Sequence, residues 1–488
     1  MKYQLASRKL PWSSSPARIY EALFLAAPYA FWLDSSRHEA GQARFSFLGA
    51  GDGPESYRLQ GAAQGVTTLY CAGKEPEHLA EDIFTILEQH LASTTAQEEE
   101  SLPFEFRGGF VGYFGYELMA LTERVHGHAS VVADAEFLFV DRFLAIDHAA
   151  GDVYLVALHH GNEAGVKAWF DSVEDVIRTL SPLDRVCEHV PPLLASRDVE
   201  PFLLHDKASY LRQIAVAKQK IIEGESYEVC LTNRVRVPLA SPTRHEIFNA
   251  YLALRQINPA PYACLLHFGQ VSILSSSPER FLKIGSDGVV ETKPIKGTTR
   301  RSADKVEDES NRQQLLNDQK FFSENLMIVD LLRNDLTRSC VPGSVHVPSL
   351  MHVESYATVH QLVSTIRGTL SQSPVCCIVN CFPGGSMTGA PKKRTLEIID
   401  SLEEAPRGIY SGVIGYLSVN GAVDLNIVIR TVVIQGNVAE IGVGGAIIHL
   451  SDPEEEYHEM LLKALAPFSA LALLAAPSTK EQRMELNV

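Results

Sequence analysis

Apolar residues recur at helical and strand spacings along most of the chain, and these spacings predict its elements. In residues 79–92, and again in residues 207–222, they repeat every three or four positions, which is typical of a helix with one buried face. Gly224 follows the second of these helices and is expected to end it. Strands and helices then alternate to about residue 470. The apolar segment 464–476 is too short to span a bilayer and is predicted to be a packed C-terminal helix.

The first part of the chain, residues 1–180, is predicted to form one unit rich in strands. Residues 67–72 have the composition of a strand bounded by glycine turns. Residues 106–116 are dense in glycine and aromatic residues, which favours a tightly packed strand pair with close backbone approach. Residues 137–146 and 152–158 are predicted to form a further hairpin.

A polar, proline-containing stretch at residues 181–206 is predicted to link two parts of the chain. It separates an N-terminal lobe, residues 1–180, from a second domain, residues 207–470. Residues 471–488 are then a C-terminal tail. We find no internal repeat.

The composition narrows the class of protein. The chain has 488 residues, of which 45% are hydrophobic and 21% charged, as is usual for a globular protein. Its net charge of −16 argues against binding to nucleic acid or to an anionic membrane. The eight cysteines form no CxxC pair, and residues 1–15 have no apolar signal-peptide core. We therefore expect core thiols, a reducing compartment and a cytoplasmic location.

One lysine, Lys296, stands between a proline and a glycine in the segment VETKPIKGTTR at residues 290–300. Pro294 fixes its own φ, and Gly297 allows a sharp turn after the lysine. We expect Lys296 to lie at a strand end on a rigid bend, where nearby cations, burial or a metal ion would lower its pKa. A lysine with a lowered pKa is a nucleophile. From these residues alone, a solvated turn lysine is the alternative.

Carboxylates in three other segments are candidates for chemistry. Glu279 follows an apolar strand and is either a general acid or base, or the ion-pair partner of a neighbouring arginine. Glu324 begins an apolar helix, where it either favours the helix dipole or binds a metal ion. Glu456 and Glu459 share a face of the last helix. They suit Mg²⁺, or they are a solvated acidic helix start.

Three further patterns are less specific. Residues 383–392 form a glycine-rich turn before a helix, whose backbone N–H groups could bind an anion, although neither GxxxxGK[ST] nor GxGxxG is present. His360 begins a predicted strand, where a lone histidine is more often a structural hydrogen-bond partner. Strand alternation places Glu228, Cys230 and Thr232 on one face.

Eight segments, in order between residue 207 and about residue 466, resemble the chorismate-utilising enzymes. This group contains anthranilate synthase component I, isochorismate synthase and aminodeoxychorismate synthase component I. The segments are SPERF, PIKGT, ENLMIVDLLRND, HQLVSTIRG, FPGGSMTGAPK, PRGIYSG, DLNIVIRT and DPEEEY. The resemblance implies a two-lobed α+β fold, with antiparallel β-sheets packed as a sandwich and helices outside. The first lobe is similar to the N-terminal domain of the group, more loosely.

The segment around Lys296 distinguishes members of this group. Anthranilate synthases carry alanine at that position, and isochorismate and salicylate synthases use a lysine base where this chain has Glu228. The form PIKGT resembles aminodeoxychorismate synthase component I. The resemblance thus implies an Mg²⁺-dependent transferase that converts chorismate and ammonia to 4-amino-4-deoxychorismate, for p-aminobenzoate and folate. Anthranilate synthase component I is the alternative.

The resemblance also implies roles for the residues. Mg²⁺, held by Glu324, Glu456 and Glu459, binds the ring carboxylate of chorismate. Glu279 protonates the departing 4-hydroxyl while Lys296 attacks C2 and forms a covalent adduct. Ammonia then adds at C4 and expels the lysine amine.

Other positions carry over from the resemblance as binding residues. Arg430 and Tyr410 are expected to hold the pyruvyl carboxylate, with Lys463 nearby. The residues expected to line the ring pocket are His360, Thr388, Gly444, Gly445 and Ala446. The residues that resemble the tryptophan-effector pocket of relatives are Leu33, Asp34, Ser35 and Arg44, with Pro261, Tyr262 and Ala263 opposite. Whether tryptophan binds there is left open, since a vestigial pocket fits equally.

No Cys–His–Glu pattern of a glutamine amidotransferase occurs in the sequence, so a separate amidotransferase subunit is expected to supply the ammonia. A non-catalytic regulator that keeps the same fold is the alternative from a different class. The presence of Glu279, Glu324, Glu456 and Arg430 argues against it.

Overall fold

The structure is a computed structural model that describes residues 2–11, 14–36, 44–98, 102–355 and 359–474. Its strands are β1 (Lys2–Pro11), β2 (Tyr29–Asp34), β3 (Phe45–Ala50), β4 (Tyr57–Gly61), β5 (Thr67–Cys71), β6 (Glu77–Leu79), β7 (Thr95–Glu98), β8 (Gly109–Phe114), β9 (Ala135–Val140), β10 (Arg142–Asp147), β11 (Asp152–His159), β12 (Glu228–Pro238), β13 (Tyr262–Phe268), β14 (Val271–Ser277), β15 (Arg280–Ile284), β16 (Val289–Thr292), β17 (Ile295–Arg300), β18 (His346–Ser355), β19 (Val359–Thr369), β20 (Gly389–Ala390), β21 (Val413–Ser418), β22 (Val423–Ile427), β23 (Thr431–Gln435) and β24 (Val438–Ile447). Its α-helices are α1 (Pro16–Leu23), α2 (Ile83–Ser93), α3 (Met119–Thr122), α4 (Glu163–Thr179), α5 (Ser196–Val199), α6 (Lys207–Ile222), α7 (Arg244–Ile257), α8 (Lys305–Asn317), α9 (Gln319–Thr337), α10 (Pro374–Cys381), α11 (Lys392–Glu403) and α12 (Pro453–Leu471).

Two large sheets form the body of the molecule. The first has the strand order β20-β12-β24-β23-β14-β13-β2-β3-β10-β11-β1-β7. The second has the order β17-β19-β16-β15-β22-β21-β8-β9-β4-β5-β6, with β18 paired to β19. Neighbouring strands are antiparallel, apart from the parallel pair β1 and β7.

Both sheets combine strands from either side of the predicted linker. In the first sheet β2 pairs with β13, and in the second β8 pairs with β21. The predicted segments 1–180 and 207–470 therefore both contribute strands to each sheet. The boundaries between the two segments stay a prediction. Of the predicted tail 471–488, residues 475–488 lie outside the described part of the chain.

The first sheet is buried on both faces, which explains the long apolar runs in its strands. On β13, Leu266 belongs to the core shared with the second sheet, together with Phe110 and Ile414. Its neighbour Leu265 faces the opposite way, into a second core formed with the helices. The molecule is thus a sandwich of antiparallel sheets with helices outside, and the predicted α+β fold class is confirmed.

The first half of the chain departs from the predicted strands at two places. Residues 137–146 form two strands in different sheets, β9 and β10, and the single predicted strand is wrong. The chain crosses between the sheets at Asp141, a buried carboxylate that accepts hydrogen bonds from Glu55 N (2.9 Å) and Ser56 Oγ (2.8 Å). Residues 106–116 contain one strand, β8, rather than a pair; its partners are β9 and β21.

The helices at the edge of the first sheet carry part of the site described below. α6 has the predicted bounds, and Gly224 after it adopts a φ of 77°. Helix α12 begins with Asp452 as its N-cap and packs against α7 and β24. Within the described ranges, no helix combines the length and the apolar character that crossing a bilayer requires.

Candidate active site

A cavity of about 470 Å³ lies where the sequence-predicted site residues converge. Its walls come from β12, β17, β24, α9, α12 and the turn between β14 and β15. The predicted residues that line it are Glu279, Lys296, Glu324, Tyr410, Arg430, Gly444, Gly445, Ala446, Glu456, Glu459 and Lys463.

Lys296 was predicted to lie at the end of a strand, but it is the second residue of β17. The bend lies before it, between Thr292 at the end of β16 and Ile295 at the start of β17. Gly297 follows with a φ of 90°, where the register against β19 shifts. This irregularity turns the buried lysine into the cavity, where its Nζ donates a hydrogen bond to Glu228 Oε1 at 3.0 Å.

The prediction that the pKa of Lys296 is lowered is wrong for the protein without bound substrate or metal ion. Burial by itself lowers the pKa of Lys296, but the carboxylates of Glu228 and Glu324 raise it more, and the net shift is upward. Two of the cations nearby along the chain are paired with carboxylates of other elements. Lys293 pairs with Glu354 at 3.2 Å, and Arg301 pairs with Asp308 at 2.8 Å.

Glu279 has the properties of a general acid. Its carboxyl is buried, and burial raises its pKa to about 7, although Lys296 and a hydrogen bond from Ser386 oppose the rise. Arg280, the ion-pair partner that the sequence left open, instead binds Asp424 with a distance of 2.8 Å from Nε to Oδ1. A carboxyl group with this pKa exchanges protons readily near neutral pH.

Lysines lie close to the carboxylates of α9 and α12 that line the cavity. Burial raises the pKa of Glu324 to about 7, while Lys296 opposes the rise. Glu456 accepts a hydrogen bond from Lys320 Nζ at 2.7 Å, and Glu459 pairs with Lys463 at 2.9 Å. Burial acts to raise the pKa of Glu459, but Lys463 outweighs it, so the net shift is downward.

Sequence reasoning missed Lys320 and the partner role of Glu228. Lys320 lies four residues before Glu324 on α9, a spacing that places both on one face of the helix. That spacing is a signal that could have been used. The contact of Glu228 with Lys296 joins residues 68 positions apart and has no local signal.

The residues of the cavity fit a magnesium ion in ligand type. Within the described residues, no three or more His, Cys, Asp or Glu side chains are gathered closely enough to hold a metal ion. Glu324 on α9 and Glu456 on α12 are buried carboxylates that line the cavity, and Mg²⁺ commonly takes one or two carboxylates together with water and substrate. Glu459 is half exposed and paired with Lys463. The ligand set of Glu324, Glu456 and Glu459 therefore stays a prediction.

Arg430 offers an open cation to an anionic ligand. It lines the cavity, and its side chain has no hydrogen-bond or ion-pair partner among the residues the structure describes. Burial lowers the pKa of this guanidinium, and Glu459 acts in the opposite direction. Its φ of 52° is left-handed, a conformation that costs a non-glycine residue about 1–2 kcal/mol. A strained, unpaired arginine in a cavity suits the binding of a carboxylate.

Tyr410 is held against β24 by the absence of a side chain at Gly442. A Cβ atom at residue 442 would lie 2.0 Å from Tyr410 Cγ, well inside van der Waals contact. Lys463 Nζ donates a hydrogen bond to Gly444 O at 2.9 Å, which ties α12 to the same strand.

We expect Gly442→Ala to lower the free energy of unfolding by about 1–3 kcal/mol, because Tyr410 must shift away from its packed position. Chemical denaturation measures this change. Gly445→Ala is the matched control, since its Cβ would lie 3.4 Å from Glu456 Oε2, an ordinary contact. Equal stability of the two variants would contradict the packing argument.

His360 and Thr388 do not line the cavity, and this part of the predicted ring pocket is corrected. His360 is buried away from it, with Nε2 3.1 Å from Asp308 Oδ1 and Nδ1 2.8 Å from Ser355 Oγ. Thr388 Oγ1 donates to Gly385 O at 3.2 Å. His360 therefore contacts side chains of α8 and β18, and Thr388 contacts the backbone of the glycine-rich turn.

A second cavity, of about 840 Å³, gathers the positions predicted for an effector pocket. The predicted residues that line it are Leu33, Asp34, Ser35, Arg44, Pro261, Tyr262 and Ala263. Asp34 accepts hydrogen bonds from Arg255 Nε (2.6 Å) and Tyr251 Oη (3.1 Å). Arg44 pairs with Asp147 at 2.8 Å. The charges of Asp34 and Arg44 are thus paired with other residues of the protein rather than left open for a ligand. The binding of tryptophan in this cavity stays a prediction.

Curated relatives match nearly the whole chain. An aminodeoxychorismate synthase of Streptomyces pristinaespiralis is 44% identical over 99% of this chain and 67% of its own length. A chloroplastic aminodeoxychorismate synthase of Arabidopsis thaliana is 45% identical over 90% of this chain and 50% of its own length. An anthranilate synthase component 1 of Acetivibrio thermocellus is 37% identical over 75% of each chain. The chain thus spans about half to two thirds of the length of these aminodeoxychorismate synthases.

Solved structures and a family model agree with these matches. Anthranilate synthase component I from Streptococcus pneumoniae TIGR4 superposes with a TM-score of 0.72 at 25% identity, over 88% of this chain and 93% of that one. The menaquinone-specific isochorismate synthase MenF of Escherichia coli, at 19% identity and a TM-score of 0.65, shares the fold. The family model described as chorismate binding enzyme matches residues 31–469. Because that match covers most of the chain, the protein belongs to the chorismate binding enzyme family.

Proposed function

We propose that this chain aminates chorismate at C4 and yields 4-amino-4-deoxychorismate, as component I of an aminodeoxychorismate synthase on the route to p-aminobenzoate and folate. The observation that carries the proposal is Lys296, a buried amine on the wall of the same cavity as Glu279. The relatives named aminodeoxychorismate synthase, at 44% and 45% identity, support it.

In the first step of the proposed reaction, Lys296 Nζ forms a bond to C2 of the ring. The electrons of the two ring double bonds shift towards C4, and the bond from C4 to its hydroxyl oxygen breaks. Glu279 gives its proton to that oxygen, which leaves as water. The pKa of Glu279, raised to about 7 by burial, keeps much of the carboxyl protonated at neutral pH.

In the second step, ammonia forms a bond to C4 and the ring electrons shift back. The bond between C2 and Lys296 Nζ breaks, and the lysine leaves as a neutral amine. The Glu279 carboxylate takes a proton from the new ammonium group at C4. Two successive displacements therefore return nitrogen to the carbon that the hydroxyl left, and the enzyme is regenerated.

Chorismate carries two carboxylates, and the cavity offers different partners for them. The unpaired guanidinium of Arg430 suits bidentate binding of the pyruvyl carboxylate beside Tyr410. Glu324 and Glu456 would repel the ring carboxylate unless a cation stood between them. We propose that these two residues, with Glu459, hold Mg²⁺, which would neutralise the ring carboxylate and fix its position.

We propose that the ammonia comes from a glutamine amidotransferase outside residues 1–488, since no Cys–His–Glu amidotransferase pattern occurs within them. We expect ammonium salts to support turnover by the chain alone and glutamine to give none. Liquid chromatography of the products after incubation with chorismate and Mg²⁺ measures both. Turnover of glutamine by this chain alone would contradict the proposed division of labour.

The same product analysis distinguishes amination of chorismate at C4, which gives 4-amino-4-deoxychorismate, from amination at C2, which leads to anthranilate. Relatives named anthranilate synthase component 1 are 32% to 37% identical to this chain, which makes anthranilate formation the second candidate. We expect 4-amino-4-deoxychorismate as the product, identified by mass spectrometry and by its retention time. Anthranilate as the main product would reject the proposed function.

A further inference from the structure

The partner of Lys296 is an unusual carboxylate. Glu228 is the first residue of β12, and its side chain is 1% exposed. Its Oε1 accepts the hydrogen bond from Lys296 Nζ at 3.0 Å, and its Oε2 is buried with no hydrogen-bond partner in the described part of the chain. Lys296 lines the cavity, whereas Glu228 lies behind it.

Another buried glutamate next to β12 shows what a purely structural carboxylate looks like here. Glu403 accepts hydrogen bonds from Thr232 N (2.8 Å) and Thr232 Oγ1 (2.9 Å), and from Arg407 Nε (2.8 Å) and Nη2 (2.7 Å). Both oxygens of Glu403 are therefore occupied by donors within the protein. Glu228 instead has one donor, the Lys296 amine, and a second oxygen that accepts no hydrogen bond from the described residues, so it has room to take up a proton from that amine.

The lysine needs such a base. The pKa of Lys296 is raised on balance, so its amine is protonated at neutral pH and has no lone pair for attack. The other titratable groups that act on it from neighbouring elements are Glu279, Glu324, Cys230 and Glu459. Among the described residues, Glu228 is the carboxylate whose oxygen is hydrogen-bonded to Nζ.

We propose that Glu228 is the proton acceptor for Lys296 in the reaction, an inference that rests on the proposed function. When attack on C2 begins, one proton moves from Nζ to Oε1 of Glu228, and the freed electron pair forms the bond to carbon. Glu228 stays protonated while the adduct lasts. When ammonia expels the lysine as a neutral amine, the proton returns to Nζ, and no net proton is gained or lost by the pair.

The cavity makes this transfer feasible once substrate fills it. Exclusion of water removes the solvation of both charges, and a neutral amine beside a neutral carboxylic acid then carries less desolvation cost than an ion pair. The distance of 3.0 Å is that of a formed hydrogen bond, so the proton moves without displacement of either side chain.

The test compares Glu228→Gln with the wild-type protein in chorismate and Mg²⁺ without ammonia. Glutamine keeps the size of the side chain and an oxygen that accepts from Nζ, but it cannot take up the proton. Rapid quench and mass spectrometry measure the rate at which the Lys296 adduct forms. At pH 7.5 this rate is expected to be at least about a hundredfold lower in Glu228→Gln than in the wild type. Glu225→Gln, at a partly exposed ion pair three residues earlier, is the control and is expected to match the wild type.

The pH dependence separates a proton acceptor from a structural residue. Below pH 7, adduct formation in Glu228→Gln is expected to rise about tenfold per pH unit, because the solvent must then deprotonate the lysine, while the wild type varies much less. Above pH 7 the loss of the Glu279 proton lowers both rates by the same factor, so the variant levels off while the wild type falls. A variant that forms adduct at the wild-type rate, or one that folds but is equally slow at every pH, would overturn the role of Glu228.

Two further measurements keep the outcome clear. If Glu228→Gln fails to fold by circular dichroism, Glu228→Asp replaces it; the carboxylate is then one methylene farther from Nζ, and slower adduct formation with the wild-type pH profile is expected. An unchanged rate in that variant would overturn the proposal. A wild-type protein that makes 4-amino-4-deoxychorismate without any adduct would overturn the role of Glu228, and one that makes no such product would reject the proposed function itself.

Discussion

Lys296→Ala is expected to remove the covalent adduct and to reduce formation of 4-amino-4-deoxychorismate at least about a thousandfold. The reason is that this residue supplies the nucleophile for C2 in the proposed mechanism, and among the described residues no second amine is in hydrogen-bond contact with Glu228. With abundant ammonium, ammonia can occupy the space that the amine leaves and attack C2 itself. The product is then expected to shift towards anthranilate.

Product analysis and intact-protein mass spectrometry measure both parts of this expectation. Lys293→Ala is the control, because this lysine is three residues away and forms a partly exposed pair with Glu354 that contributes about 1 kcal/mol or less. Its activity is expected to stay within a few-fold of the wild type. An unchanged product spectrum from Lys296→Ala would show that the lysine is not the nucleophile.

Glu279→Gln is expected to lower kcat by about 10²–10⁴-fold, since the amide keeps the shape of the side chain but cannot give a proton to the departing hydroxyl. Glu440→Gln is the control. Glu440 is on β24, its carboxylate lies 3.4 Å from Nη1 of Arg234 on β12, and it does not line the cavity. A Glu279→Gln enzyme with near wild-type kcat would rule out Glu279 as the acid.

The pH profile gives this acid a second signature. Burial raises the pKa of Glu279 to about 7, so the protonated form that donates is present below pH 7 and is lost as pH rises through 7. We expect kcat of the wild type to fall on the alkaline side with an apparent pKa near 7. Glu279→Gln is expected to lack that limb, and a limb that persists in this variant would belong to another group.

Local patterns in the sequence were sufficient for several elements of the fold. The bounds of α6 follow from its apolar spacing and from Gly224 after it, which are features of neighbours along the chain. The resemblance of the ordered motifs to the family added the sandwich fold, and it named eleven of the residues that line the cavity. Among the described residues, the predicted effector positions also converge on one cavity.

Tertiary packing decided the features that depend on residues far apart in the sequence. The crossing between sheets at Asp141 is invisible to strand periodicity, because both β9 and β10 are apolar and both faces of their sheets are covered. The ion pair of Lys320 with Glu456 joins α9 to α12, and the partner of Lys296 comes from β12.

The direction of the Lys296 pKa shift is the clearest case. The sequence by itself determined that a lysine would stand at a bend in an enzyme of this family, and it placed cations beside it along the chain. Only the folded structure turned those cations away and brought two carboxylates, Glu228 and Glu324, towards the amine. The sign of an electrostatic effect depends on distances in space, and neighbours along the chain do not determine those distances.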